Sequence, residues 1–176
     1  MKSDYRVRAL AFLKSIFPYI QSCLFDLDEL REKVDEYNRD RSRKVIFSYG
    51  SARAVLITSD YVIKWDYDSD NVKELGGCVD EYFAFQKAKR EGYDYLLAEI
   101  SLTVIEGVTF GIMPRVKNIG PMHHRGGLLN YVTYPEFKWI KNFNKDIHNY
   151  NWGIRHGKAC LIDYAMTEEV ISRMDE

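Results

Sequence analysis

Apolar residues recur at helical spacing over residues 4–23, at Tyr5, Leu10, Leu13, Phe17 and Ile20, with Pro18 interrupting the run. Asp26, with Glu29 three residues on, has the form of an N-cap that opens a second helix through about Asn38, whose apolar positions are Leu27, Leu30, Val34 and Tyr37. After the charged stretch 39–44 the period changes to two. Strands are predicted over 45–49, 54–57 and 61–65, the last two joined by a Thr58-Ser59-Asp60 turn. An acidic loop over 66–70 then leads to a helix from about Gly77 to Arg90, stopped by Gly92. Strands are predicted over 102–106 and 108–113 around a turn at Gly107, giving five strands and one helix in this part of the chain. Further on, the pattern predicts a loop-rich stretch, a short helix over 134–143, a hairpin over 154–161, and a final strand over 159–164 running into a polar helical tail. Trp139 and Trp152 are expected in the core.

Length and composition narrow the picture. A chain of 176 residues can bury roughly 70% of the surface its unfolded form exposes, enough for one domain with its own core. No uncharged apolar run approaches the ~18 residues of a membrane span, so no membrane partner is expected. Lys plus Arg (25) almost cancels Asp plus Glu (26), which removes the basic excess of an electrostatic nucleic-acid binder, and no nucleic-acid partner is expected. Asp4, Arg6 and Arg8 break any early secretory pattern, so the expected compartment is the cytoplasm. Cys23, Cys78 and Cys160 are odd in number and widely spaced, which predicts reduced, buried thiols rather than disulfides or a zinc site. His123-His124 has no third ligand at a usual spacing and reads as an exposed loop pair.

The chemistry concentrates in Asn144-Lys145-Asp146-Ile147-His148-Asn149-Tyr150-Asn151, followed by the hairpin and then Ile162-Asp163-Tyr164-Ala165. An Asp, an Asn five residues later, and a second Asp just past a hydrophobic strand have the spacing of the protein-kinase catalytic and metal-binding loops. Upstream, Tyr61-Val62-Ile63-Lys64 resembles the Lys-bearing strand of the same fold, and Glu81 on the following helix is a better ion-pair partner for that Lys than Glu74. Over residues 43–170 the chain therefore resembles the protein-kinase-like fold, and most closely its minimal members among bacterial effectors and virus-borne serine/threonine kinases.

This resemblance implies an α+β architecture: an N-lobe over 43–116 with five antiparallel strands and one helix, a reduced C-lobe over 117–176, and an added helical extension over 1–40, all in one domain. It implies ATP and Mg²⁺ as cofactors. Asp146 would orient the attacking hydroxyl, Lys64 held by Glu81 would meet the nucleotide phosphates, and Asn151 and Asp163 would offer oxygens to Mg²⁺. Gly50, Ser51 and Val55 would lie over the nucleotide, and Pro114 and Val116 would supply the hinge that meets adenine, with Met113 behind it.

Departures from the pattern matter as much. The loop Tyr49-Gly50-Ser51-Ala52-Arg53-Ala54-Val55 has one glycine where kinases usually carry three, Asn144 replaces the catalytic-loop His, and Ala165 replaces the Gly after the second Asp. Few residues follow Asp163, so the activation segment and large helical subdomain of larger kinases are expected to be absent. His148 gives D-x-H-x-x-N, which is similar to the sugar and aminoglycoside phosphotransferases. Three functions follow: a minimal protein kinase acting on itself or a partner protein, a small-molecule phosphotransferase, and a nucleotide-binding pseudokinase acting through a regulatory partner. The apolar stripes of the first 40 residues require burial, and the protein's own fold is the expected surface.

Overall fold

Two helices open the chain. α1 (Tyr5–Ser22) is capped by Asp4, whose side chain accepts the Arg6 N–H, and α2 (Leu27–Asn38) by Asp26, which accepts the Glu29 N–H at 2.9 Å. The computed structural model of the chain describes residues 4–23, 26–42, 44–50, 52–67, 76–118, 131–144 and 151–165. α1 runs through Pro18, where the sequence predicts an interruption. The proline removes one helical hydrogen bond, but Ile16, Phe17 and Ile20 are buried on both sides of it and hold the helix through that position.

Five strands follow: β1 (Ile46–Tyr49), β2 (Arg53–Ile57), β3 (Tyr61–Asp66), β4 (Ser101–Ile105) and β5 (Val108–Pro114). They form one antiparallel sheet in the order β1-β2-β3-β5-β4, with α3 (Cys78–Glu91) inserted between β3 and β4. The fold is α+β. Strand β4 stops one residue before the expected end, because Glu106 and Gly107 both take positive φ (47° and 86°) and form the two-residue turn between Ile105 and Val108.

Period-two alternation sorts the side chains between the two faces of the sheet. Ala54 and Leu56 of β2, Ile63 and Trp65 of β3, and Phe110 and Ile112 of β5 are buried in one cluster with Leu13, Ile16, Phe17 and Ile20 of α1 and Leu30 and Val34 of α2. The apolar stripes of the N-terminal helices are thus buried on this sheet, as their spacing requires. Residues of the opposite parity, among them Val55, Val62, Lys64 and Met113, face the other way, toward a second cluster or an open cleft.

The second cluster unites α3, a short 3-10 turn (Asp94–Leu96) and a smaller sheet of β6 (Lys117–Asn118), β7 (Trp152–Arg155) and β8 (Lys158–Leu161), with α4 (Tyr134–Phe143) beside it. β6 is too short to carry a periodic signal and has no sequence forewarning. Gly153 lets it pair: a Cβ there would lie 2.3 Å from Val116 Cγ2. The last strand ends at Leu161, not at 164, since Leu161 already pairs with Trp152, the first residue of β7. Trp152 is core, as expected, but Trp139 lies at the margin, half-buried, stacked on Phe143 and Tyr93 with ring centroids 4.4 and 4.6 Å away. Its indole N–H reaches Glu91 at 2.8 Å, a polar partner that complete burial would have denied it. All three cysteines are free and buried. Among the described residues no helix is long and apolar enough to cross a membrane.

Candidate functional site

Lys64 lies between the core residues Ile63 and Trp65 on β3, so alternation turns it away from α1 toward α3. Asp66, the last residue of the same strand, accepts the Cys78 N–H at 3.1 Å and places a carboxylate at the N-terminus of α3. This contact seats the helix against the strand. One turn later Glu81, fully buried, receives Lys64 Nζ at 2.9 and 3.1 Å on its two oxygens.

Glu81 also binds the third part of the site. It accepts the Tyr164 N–H at 3.2 Å, while Lys64 donates to the Ile162 carbonyl at 2.8 Å. The segment 162–164 is therefore clamped to β3 and α3 by one ion pair. The hairpin β7–β8 explains how Asn151 and Asp163 meet: it folds the chain back so that the Ile162 N–H donates to the Asn151 carbonyl at 2.8 Å. The Tyr164 hydroxyl anchors the same segment by donating to the Ala98 carbonyl.

A fourth charge completes the cluster. Arg53, at the start of β2, reaches Asp163 through Nη2 and stands 3.1 Å from Glu81 Oε1 through Nη1. Its side chain is only 14% exposed. Two cations and two carboxylates thus form one cluster, with Glu81 fully buried, Lys64 and Arg53 nearly so and Asp163 half-exposed at the cleft, and this mutual pairing is how buried charge is tolerated. Burial pushes the Asp163 carboxyl up, but Lys64 and Arg53 outweigh it and bring it down to about 2. Burial pushes Glu81 up, and the same two cations oppose the shift. Burial raises Asp66, against the pull of the Cys78 backbone N–H.

Lys64 and Asp163 of this cluster border a cleft of about 910 Å³, a volume suited to a small organic ligand. Its walls include Val55, Lys64, Pro114, Val116, Asn151 and Asp163, each named from sequence, and Met113 lines it as well. Glu81 stands behind Lys64. Gly50 is exposed, with its N–H bonded to the Arg53 carbonyl at 2.9 Å, and is not part of the wall. Ser51, Glu74, His123, His124, Asp146 and His148 lie outside the described residues.

No protein-family model matches this chain, and no curated protein does. The site therefore rests on its own geometry. Sequence reasoning missed Arg53, whose signal was parity: it shares the face of Val55, not that of the core residues Ala54 and Leu56. Among the described residues no three His, Cys, Asp or Glu side chains gather as a metal cluster. Asp163 and Asn151 nevertheless offer a carboxylate and an amide oxygen on one cleft, hard donors of the kind Mg²⁺ takes when substrate phosphate supplies the remaining oxygens.

Proposed function

We propose that this chain is an ATP- and Mg²⁺-dependent phosphotransferase, a minimal serine/threonine protein kinase that acts on itself or on a partner protein. The observation that carries the reading is the convergence of the Lys64–Glu81 pair and Asp163, far apart in sequence, on one cleft of nucleotide size. The resemblance of the motifs to the protein-kinase-like fold supports it from the sequence side.

In this reading Glu81 fixes the Lys64 ammonium at the cleft, where it meets the nucleotide phosphates. The apolar walls at Val55, Met113 and Val116 suit the faces of a planar base. Asp163 and Asn151 would hold the divalent cation, which neutralises charge on the phosphoryl group in transfer. Asp146, five residues before Asn151, is assigned to orient the attacking hydroxyl and accept its proton.

One observation favours a second reading, nucleotide binding without transfer: Arg53 already neutralises Asp163. Incubation with γ-labelled ATP and Mg²⁺, with label followed on protein and on added small acceptors such as aminoglycosides and sugars, separates the classes. Label on protein supports the kinase reading, label on a small acceptor replaces it, and nucleotide binding with no transfer to any acceptor establishes the second.

A further inference from the structure

Arg53 is held in a way its present partners do not fully account for. It starts β2 on the same face of the sheet as the cleft residues Val55 and Ile57, and its guanidinium reaches Asp163, which lines the cleft although Arg53 itself does not. Nη2 is joined to Asp163, but Nη1, buried and 3.1 Å from Glu81 Oε1, makes no hydrogen bond among the described residues. Glu81 is already engaged by Lys64 and the Tyr164 N–H. Nη1 is thus ion-paired with Glu81 but not well aligned for a hydrogen bond to it, and an anion bringing several oxygens would supply an aligned acceptor. The same guanidinium occupies Asp163, the carboxylate assigned to the divalent cation.

One exchange resolves both facts. We propose that Arg53 is a phosphate ligand of this site: when a nucleoside polyphosphate enters, the guanidinium passes from Asp163 to phosphate oxygens, and Asp163 becomes available to the cation. No covalent bond forms or breaks. The inference rests on the nucleotide reading above and adds to it a residue and a role. It also accounts for the thin loop before β2. Tyr49-Gly50-Ser51-Ala52 carries a single glycine and so limits close backbone approach to phosphate, whereas the planar guanidinium fork of the next residue offers paired donors matched to phosphate oxygens.

The test uses the full chain and two variants, Arg53→Met and Arg53→Lys, with two separate readouts. ADP binding without divalent metal is measured by calorimetry, and Mn²⁺ binding to nucleotide-free protein by electron paramagnetic resonance. Arg53→Met should weaken ADP by about 10-fold or more, the scale of a charge-assisted hydrogen bond. It should at the same time tighten Mn²⁺ by about 3-fold or more, because a competing cation has left Asp163. Arg53→Lys should weaken ADP less, since it keeps the charge and loses the fork. A merely structural role would weaken both ligands together, and that result overturns the proposal. Should Arg53→Met fail to fold, Arg53→Lys decides: ADP affinity equal to wild type is then the overturning outcome. If wild type binds ADP and the variants bind it equally well, Arg53 alone is refuted; if wild type binds no ADP, the nucleotide reading falls and this inference with it.

Discussion

Lys64 Nζ lies 2.9 and 3.1 Å from the two carboxylate oxygens of Glu81, a buried pair that joins β3 to α3 across the interior of the protein. The pair also holds the segment 162–164, through Ile162 on one side and Tyr164 on the other. Removing Glu81 leaves Lys64 without its carboxylate, while removing Lys64 leaves Glu81 with Arg53 as its remaining cation.

Glu81→Ala leaves Lys64 without its carboxylate and removes one of the two carboxylates paired with Arg53, so it should destabilise the protein more than Lys64→Ala, with losses on the ~3–5 kcal/mol scale of a broken buried pair. The two substitutions should be clearly non-additive in urea unfolding. A double mutant that shows the plain sum of the single losses would mean that the pair contributes no coupling.

Acid should act on Asp163 in a defined window. Its folded-state pKa is depressed to about 2, so its stabilising contribution is complete above the usual carboxylate range and is lost as pH falls through that range toward the folded value. The stability gap between wild type and Asp163→Asn should therefore be constant from neutral pH to about 5 and close on further acidification. Urea midpoints of both proteins across this range give the measurement; a gap that closes near neutral pH would contradict the assigned depression.

Leu13, fully buried on α1, packs in the same cluster as Trp65 and Phe110. Leu13→Ala should cost about 2–5 kcal/mol, the range for a core leucine. Deletion of residues 1–40 should expose this face of the sheet and give an aggregating product. A soluble fragment that unfolds cooperatively from residue 41 onward would show that the sheet does not need these helices.

The parts of this fold legible in sequence were those set by local pattern. Alternation placed β2, β3 and β5 and divided their side chains between two faces, and through positive φ Gly92 marked the end of α3 and Gly107 the turn before β5. Lys64, Asn151 and Asp163, singled out because their types and spacing are tied to a chemistry, line one cleft. Arg53 was not singled out, since its role depends on a partner 110 positions away that no local pattern reveals. Pro18 misled for a related reason: the tertiary burial around it outweighs one lost helical hydrogen bond. β6 exists only because Gly153 lets Val116 approach, a contact between distant parts of the chain.

The central claim, that the cleft bounded by Lys64 and Asp163 serves phosphoryl transfer, is tested most directly by single-turnover transfer from γ-labelled ATP with Mg²⁺, followed on the protein itself. Wild type should acquire label, and Asp146→Asn should fold and bind nucleotide as wild type does while transferring at least about 100-fold more slowly, the scale of a positioned acid–base group. Equal transfer rates in the two proteins, or a wild type that acquires no label, would contradict the account.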